Sequence, residues 1–275
     1  MSSSPIDLDA YCARIGYDGP REPTLETLRS LHERHPAAIP FEAIDVMLGR
    51  GVDLAPRAVD AKLIRGGRGG YCFEHNSLFK RALMAIGFEV ESLIARVRWM
   101  APEGAPPRPR SHMGLRVIVD GVPWLADVGF GGCVSSAPLR MDTDEPQSTR
   151  HTTFRLVTVP GGQRVEALIG GAWMPLYVLS SEVQNDVDFE PANWYTATHP
   201  DSFFRHILMV ARTTPEAQLA LQNARLTVRR PGQIEERRTL DADGLEQVLR
   251  KDFGLPVEPD WRPVIEKAAV AEVEG

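Results

Sequence analysis

Apolar residues in the first third of the chain recur at helical spacing. Leu8, Tyr11, Cys12 and Ile15 fall at i, i+3, i+4 and i+7, one face of a short helix. A second helix starts after Pro23, with Thr24 as N-cap and Leu25, Leu28 and Leu31 inside. Pro56 opens a third through Val59, Leu63 and Ile64, and Gly66 and Gly67 stop it. A fourth is predicted from Cys72 to Ile86, with Phe79, Leu83 and Ile86 as its buried stripe and Gly87 as its stop. Beyond it the pattern turns to strands. Residues 90–99 are rich in β-branched and apolar side chains, and 112–119 and 122–128 read as two strands joined by Asp120-Gly121, a strong hairpin turn. Between them MAPEGAPPRPRS, at 100–111, holds four prolines and is predicted to be an exposed loop. Further strands are expected at 154–159, 164–169 and 173–179. In the last third, 184–199 reads as irregular, 203–211, 224–230 and 235–240 as strands, and 245–253 and 264–273 as helices. The pattern predicts an α+β chain: a helical bundle, a β-barrel or sandwich, then an α+β lid.

Composition narrows the partners. The 275 residues hold 43% hydrophobic and 25% charged side chains, enough for a core without disulfide or metal. Lys plus Arg is 31 and Asp plus Glu is 37, a net charge of −6, which disfavours non-specific nucleic-acid binding. The three cysteines, Cys12, Cys72 and Cys133, are too widely spaced for a zinc site and odd in number. They suggest a reducing compartment. The start, MSSSPIDLDAYC, lacks the features of a secretory signal, and no apolar run of about 18 residues is present. A cytoplasmic protein without metal, nucleic acid or membrane partner is expected; its oligomeric state is left open.

Cys72 stands out by position. It follows Arg65-Gly66-Gly67-Arg68-Gly69-Gly70-Tyr71 and opens a helix. The positive end of a helix dipole favours a thiolate, and the free N–H groups of a first turn can hold an oxyanion. The plain alternative is one more buried cysteine. A thiolate nucleophile needs an imidazole, and the imidazole an orienting carboxylate. If Asp120-Gly121 is a two-residue turn, opposed positions sum to 241, so 119 faces 122 and 114 faces 127. His112 and Asp127 are then diagonal neighbours on one face of the hairpin. His75, three residues past Cys72, is a weaker alternative base. His35 is expected to cap or pack, Cys12 to be buried and Cys133 to be a bystander. The glycines at 66–70 lack the Gly-Lys-Ser/Thr ending of a phosphate loop.

Arg68-Gly69-Gly70-Tyr71-Cys72-Phe73-Glu74, then Ser111-His112, then Trp124-Leu125-Ala126-Asp127-Val128-Gly129-Phe130-Gly131-Gly132 resemble the arylamine N-acetyltransferase family, most of all its actinobacterial members. Upstream Ile39-Pro40-Phe41-Glu42 is similar to that family's first motif. Trp194-Tyr195 and His199-Pro200-Asp201-Ser202-Phe203-Phe204 extend the likeness over nearly the whole chain. The resemblance implies a helical bundle (1–87) carrying Cys72, a β-barrel (88–190) carrying His112 and Asp127, and an α/β lid (191–275), around a cysteine-protease-like catalytic core. It implies ping-pong transfer, in which acetyl-CoA as cosubstrate acylates Cys72 and an arylamine, arylhydrazine or N-hydroxyarylamine takes the acetyl group. By matching position Phe41, Phe130 and Phe204 would line the substrate pocket, and Arg68 would pair with Glu42. Ala43 stands where the family often has Asn. Gly129 and Gly131 are candidates for close approach of CoA. The same three side chains would also suit another acyl donor, as in amide synthases or malonyl transfer, or hydrolysis of a thioester or amide. A barrel that binds ligands with an inert cysteine is the non-enzymatic alternative.

Overall fold

The computed structural model describes residues 5–102 and 104–271. Side chains cap the first two helices. Asp7 Oδ1 accepts from Ala10 N at 3.0 Å to start α1 (Leu8–Ile15), and Thr24 Oγ1 accepts from Thr27 N at 3.3 Å to start α2 (Leu25–Ala38). Gly16, in the left-handed region at φ 64°, ends α1. The chain then forms β1 (Phe41–Glu42) and α3 (Ile44–Met47). The helix expected from Pro56 is α4 (Pro56–Val59), which widens into a π-helical turn over Asp60–Arg65. The turn 66–71 leads into α5 (Cys72–Ile86), closed by Gly87.

Eight antiparallel strands follow in the spatial order β5-β4-β3-β2-β9-β8-β7-β6. They are β2 (Glu89–Val97), β3 (His112–Val119), β4 (Val122–Ala126), β5 (Leu139–Arg140), β6 (Gln147–Ser148), β7 (Thr153–Val159), β8 (Gly162–Ile169) and β9 (Ala172–Gln184). The Gln147 amide bridges the two edge strands. Arg140 N–H donates to its Oε1 at 2.7 Å, and its Nε2 donates to Arg140 O at 2.9 Å. The sheet thus curls into a nearly closed barrel filled by Leu93, Leu125, Phe154, Leu156, Leu176 and Tyr177. The opposite side of β3, with Met113, Leu115 and Val117, packs on the helical core. The described part of 98–111 contains no helix or strand; residue 103 lies outside the described residues.

Several expectations for the last third need correction. Residues 184–199 are not irregular: β9 runs to Gln184, a 3-10 turn spans Asp186–Phe189, and α6 covers Glu190–Thr198. Asn, Trp, Tyr and Thr are weak helix formers, which hides α6 in the sequence. The expected strand over 203–211 is a 3-10 turn, Phe203–Arg205, followed by β10 (Met209–Thr213). β11 (Gln218–Gln222) was not predicted, because its Gln, Leu and Ala residues carry no β-branched signal. With β12 (Arg225–Arg229) and β13 (Glu236–Thr239) these strands form a second antiparallel sheet in the order β1-β10-β11-β12-β13. α7 (Ala242–Lys251) and α8 (Arg262–Val270) cover it around the buried Trp261. The expected helix 264–273 ends at 270, and 272–273 lie outside the described residues.

β1 draws the turn before Cys72 against this second sheet. Phe41 pairs with Ala211, while Glu42 N donates to Gly70 O at 2.7 Å and Gly70 N to Pro40 O at 3.3 Å. A side chain at Gly69 would begin inside the Pro40 carbonyl oxygen and 2.9 Å from Glu42 Cγ, whereas Gly67, at φ +64°, has open space. Gly69→Ala should therefore lower stability by about 1–3 kcal/mol through overpacking. Gly67→Asn keeps a residue that tolerates the left-handed region and should cost less than about 1 kcal/mol. Urea unfolding midpoints compare the two; equal midpoints would contradict the strip-to-turn packing.

Candidate active site

The hairpin register is the one the turn predicts. Val119 opposes Val122 and Leu115 opposes Ala126. Asp127 lies one residue past the end of β4, and His112 is the first residue of β3. Their side chains meet on the barrel side: His112 Nε2–H donates to Asp127 Oδ2 at 2.7 Å. Cys72 is the second group, after Asp127, that favours a charge on the His112 ring. Cys72 Sγ lies 3.6 Å from Ser111 O, just before β3. Cys72, His112 and Asp127 are all buried, at 4%, 2% and 4% exposure, so water screens their charges weakly.

The carboxylate is saturated with donors. Oδ2 accepts from His112 and from Tyr177 O–H at 2.8 Å. Oδ1 accepts from Asn76 Nδ2 at 3.0 Å and from Gly129 N–H at 3.0 Å. Burial opposes a charge on Asp127, but His112, Asn76 and the Gly129 N–H outweigh it and hold the carboxyl down at about 2. Burial also opposes a charge on His112, yet Asp127 and Cys72 together bring the ring from its ordinary 6.5 up to about 10. Burial pushes Cys133 up to about 12, against a smaller pull from Arg229, and raises Cys12 against Arg21. Both are buried, Cys133 in the barrel core and Cys12 in the helical core.

The turn ahead of Cys72 rests on buried and half-buried charges. Arg68 Nε donates to Glu42 Oε1 at 2.9 Å and its Nη2 lies 3.1 Å from Asp45 Oδ2. Lys62 Nζ bridges Asp45 at 2.8 Å and Glu74 at 2.9 Å, and Glu74 Oε2 accepts from Tyr71 N at 3.0 Å, capping α5. Ala43 supplies no side-chain cap to α3; instead Glu42 Oε2 accepts from Ile44 N at 2.8 Å.

Phe41 meets Phe204 at 5.9 Å between ring centroids, Phe204 meets Tyr71 at 6.1 Å, and Phe130 stands edge-on to His112 at 5.2 Å. His75 is turned away from this chemistry: its ring bonds to His35 and to Pro40 O. A side chain at Gly129 would lie 2.9 Å from Cys72 Cα and 2.9 Å from Asn76 Nδ2, so the close approach there is to α5, the helix that Cys72 opens; Gly131 faces Phe41. Among the described residues no cluster of His, Cys, Asp and Glu could hold a metal, and no helix is long and apolar enough to cross a membrane.

Asn76 and Tyr177 were not anticipated from sequence. Asn76 had a signal: one turn after Cys72, it sits on the same helix face. Tyr177 had none, since its approach depends on β9 pairing with β2 through a register shift.

Residues 24–262 match a family model described as N-acetyltransferase. The arylamine N-acetyltransferase of Mycolicibacterium smegmatis is 40% identical over 91% of this chain and 92% of that protein. A Salmonella typhimurium protein, an arylamine N-acetyltransferase / N-hydroxyarylamine O-acetyltransferase, is 40% identical over 91% of this chain and 89% of its own. The solved structure of the Mycobacterium marinum arylamine N-acetyltransferase in complex with CoA superposes with a TM-score of 0.91 at 37% identity, covering 96% of this chain and 98% of that one. By sequence and by fold, the chain belongs to the arylamine N-acetyltransferase family.

Proposed function

We propose that the chain transfers an acetyl group from acetyl-CoA to an arylamine, arylhydrazine or N-hydroxyarylamine through an acetyl-Cys72 intermediate. The observation that carries this is the saturated Asp127 carboxylate behind His112, because it steadies an imidazolium beside the thiol. The resting pair is then a Cys72 thiolate and a His112 imidazolium. The thiolate attacks the thioester carbonyl carbon, the carbon–sulfur bond to CoA breaks, and His112 gives its proton to the departing CoA thiolate. Backbone N–H groups in the first turn of α5 would hold the oxyanion. The amine nitrogen then attacks the acetyl carbon, the neutral His112 takes its proton, and Cys72 leaves as thiolate. Phe41, Phe130 and Phe204 supply an apolar wall that favours neutral aryl amines over charged alkyl amines, which must be desolvated. The division at 1–87, 88–190 and 191–275 fits this use: the first part brings the nucleophile and the second the imidazole and the acid.

Mass spectrometry of the intact chain with acetyl-CoA and no amine should find one acetyl group, on Cys72, and one equivalent of free CoA. Continuous release of CoA and acetate with no adduct would favour the hydrolase reading instead. Cys72→Ala should lose all transfer while keeping its circular dichroism; retained turnover would remove Cys72 as nucleophile.

The pair also sets a pH dependence of stability. His112 is raised in the fold, so its contribution is complete below about 6.5 and is lost as pH rises toward about 10. Asp127 is lowered, so its contribution is present above its ordinary 3.8 and is lost as pH falls through about 2. The difference in thermal midpoint between the native chain and Asp127→Asn should therefore be largest between about pH 4 and 6.5 and shrink by pH 9.5. A difference that stays constant over that range would contradict an ion pair.

A further inference from the structure

α2 carries two histidines one turn apart, His32 and His35, and both rings are fully buried. His35 belongs to a chain of fixed protons. His75 Nε2 meets Pro40 O at 3.2 Å, and a carbonyl only accepts, so His75 holds its proton there. Its Nδ1 then accepts from His35 Nε2–H at 2.9 Å, and His35 Nδ1 accepts from Tyr11 O–H at 2.9 Å. Both rings are neutral, and through His75 they tie α2 to the helix that begins at Cys72.

His32 turns the other way, toward the acid. Its Nε2 lies 3.2 Å from Asp127 N. A backbone N–H only donates, so Nε2 holds a lone pair and the ring's proton is on Nδ1. That Nδ1 has no partner among the described residues. A buried N–H without a partner is destabilising, and an apolar residue at this place would avoid it. What the histidine supplies is an acceptor at a place where the sheet supplies none. Pairing of β3 with β4 stops at Leu115–Ala126. The next three N–H groups turn to side chains: Asp127 to His32, Val128 to Asn76 Oδ1 at 3.1 Å, and Gly129 to the Asp127 carboxylate itself at 3.0 Å. Phe79 stands edge-on to both α2 histidines, at 6.0 Å from His32 and 5.4 Å from His35, and fixes the ring planes.

We propose that His32 is a positioning residue for acyl transfer: as a neutral acceptor for the Asp127 N–H it sets the backbone that aims the carboxylate at His112. With the His35–His75 contact, α2 becomes the common support of the acid and of the nucleophile's helix. This rests on the Cys72–His112–Asp127 reading above.

Three substitutions separate positioning from packing. His32→Gln puts an amide oxygen where Nε2 stands, His32→Asn stops short at the Nδ1 position, and His32→Leu removes the acceptor. Full-length variants are compared for kcat and KM with acetyl-CoA and 4-methoxyaniline, and for peptide-resolved alkylation of Cys72 by iodoacetamide at pH 6. His32→Leu and His32→Asn should each lower kcat and alkylation about tenfold or more, with KM for acetyl-CoA within about twofold, and His32→Gln should stay within about threefold of the native chain. Native kcat and alkylation in a folded His32→Leu variant, or a His32→Gln variant no better than His32→Asn, would overturn the proposal. Should His32→Leu fail to fold, the His32→Gln against His32→Asn comparison decides. Failure of the underlying triad reading shows separately, as turnover by Cys72→Ala with His32 in place.

Discussion

A carboxylate almost wholly removed from water must be met by donors on every side, or its burial costs several kcal/mol. Asp127 is such a group, and the middle of this fold is arranged to satisfy it. Its four donors come from four places in the chain: His112 from the first residue of β3, Tyr177 from β9, Asn76 from the second turn of α5, and Gly129 from the loop beyond β4. The barrel must close correctly for Tyr177 to arrive, and α5 must lie against β3 for Asn76 to arrive. The packing of the two halves and the charge state of His112 are therefore one problem with one solution.

The start of α5, and Cys72 with it, is held from the other side by a second set of buried and half-buried charges. Glu42, Asp45, Lys62, Arg68 and Glu74 alternate in sign beneath the turn 66–71, and Arg68 also lies 4.6 Å over the Trp261 ring. Removing Arg68 would leave the buried Glu42 without its cation, and removing Lys62 would do the same to Glu74. The set acts through Glu74, which caps α5 at Tyr71 N and so fixes where the helix, and Cys72 with it, begins. The α5 N-terminus is thus located by ionic contacts on one face and by histidines of α2 on the other.

Much of this was legible because it is local. The helix cap at Thr24, the glycine stops, and the parity of the Asp120-Gly121 hairpin are short-range facts, and the hairpin alone put His112 and Asp127 on one face. Asn76 could have been read from its spacing to Cys72. What was hidden depends on distant pairing. Tyr177 reaches Asp127 through a register shift between β2 and β9, and His32 through packing of α2 against the end of β4. α6 and β11 were missed because their residues carry weak intrinsic preferences that tertiary packing overrides.

The most direct test of the central claim is the protonation state of His112, read from its ring ¹⁵N shifts in NMR spectra of the native chain and assigned by the signals lost in His112→Gln. The seven histidines should separate by charge, with His32, His35 and His75 neutral and His112 still an imidazolium at pH 8. A His112 ring that loses its proton near the ordinary 6.5 would contradict the ion pair on which the proposed chemistry depends.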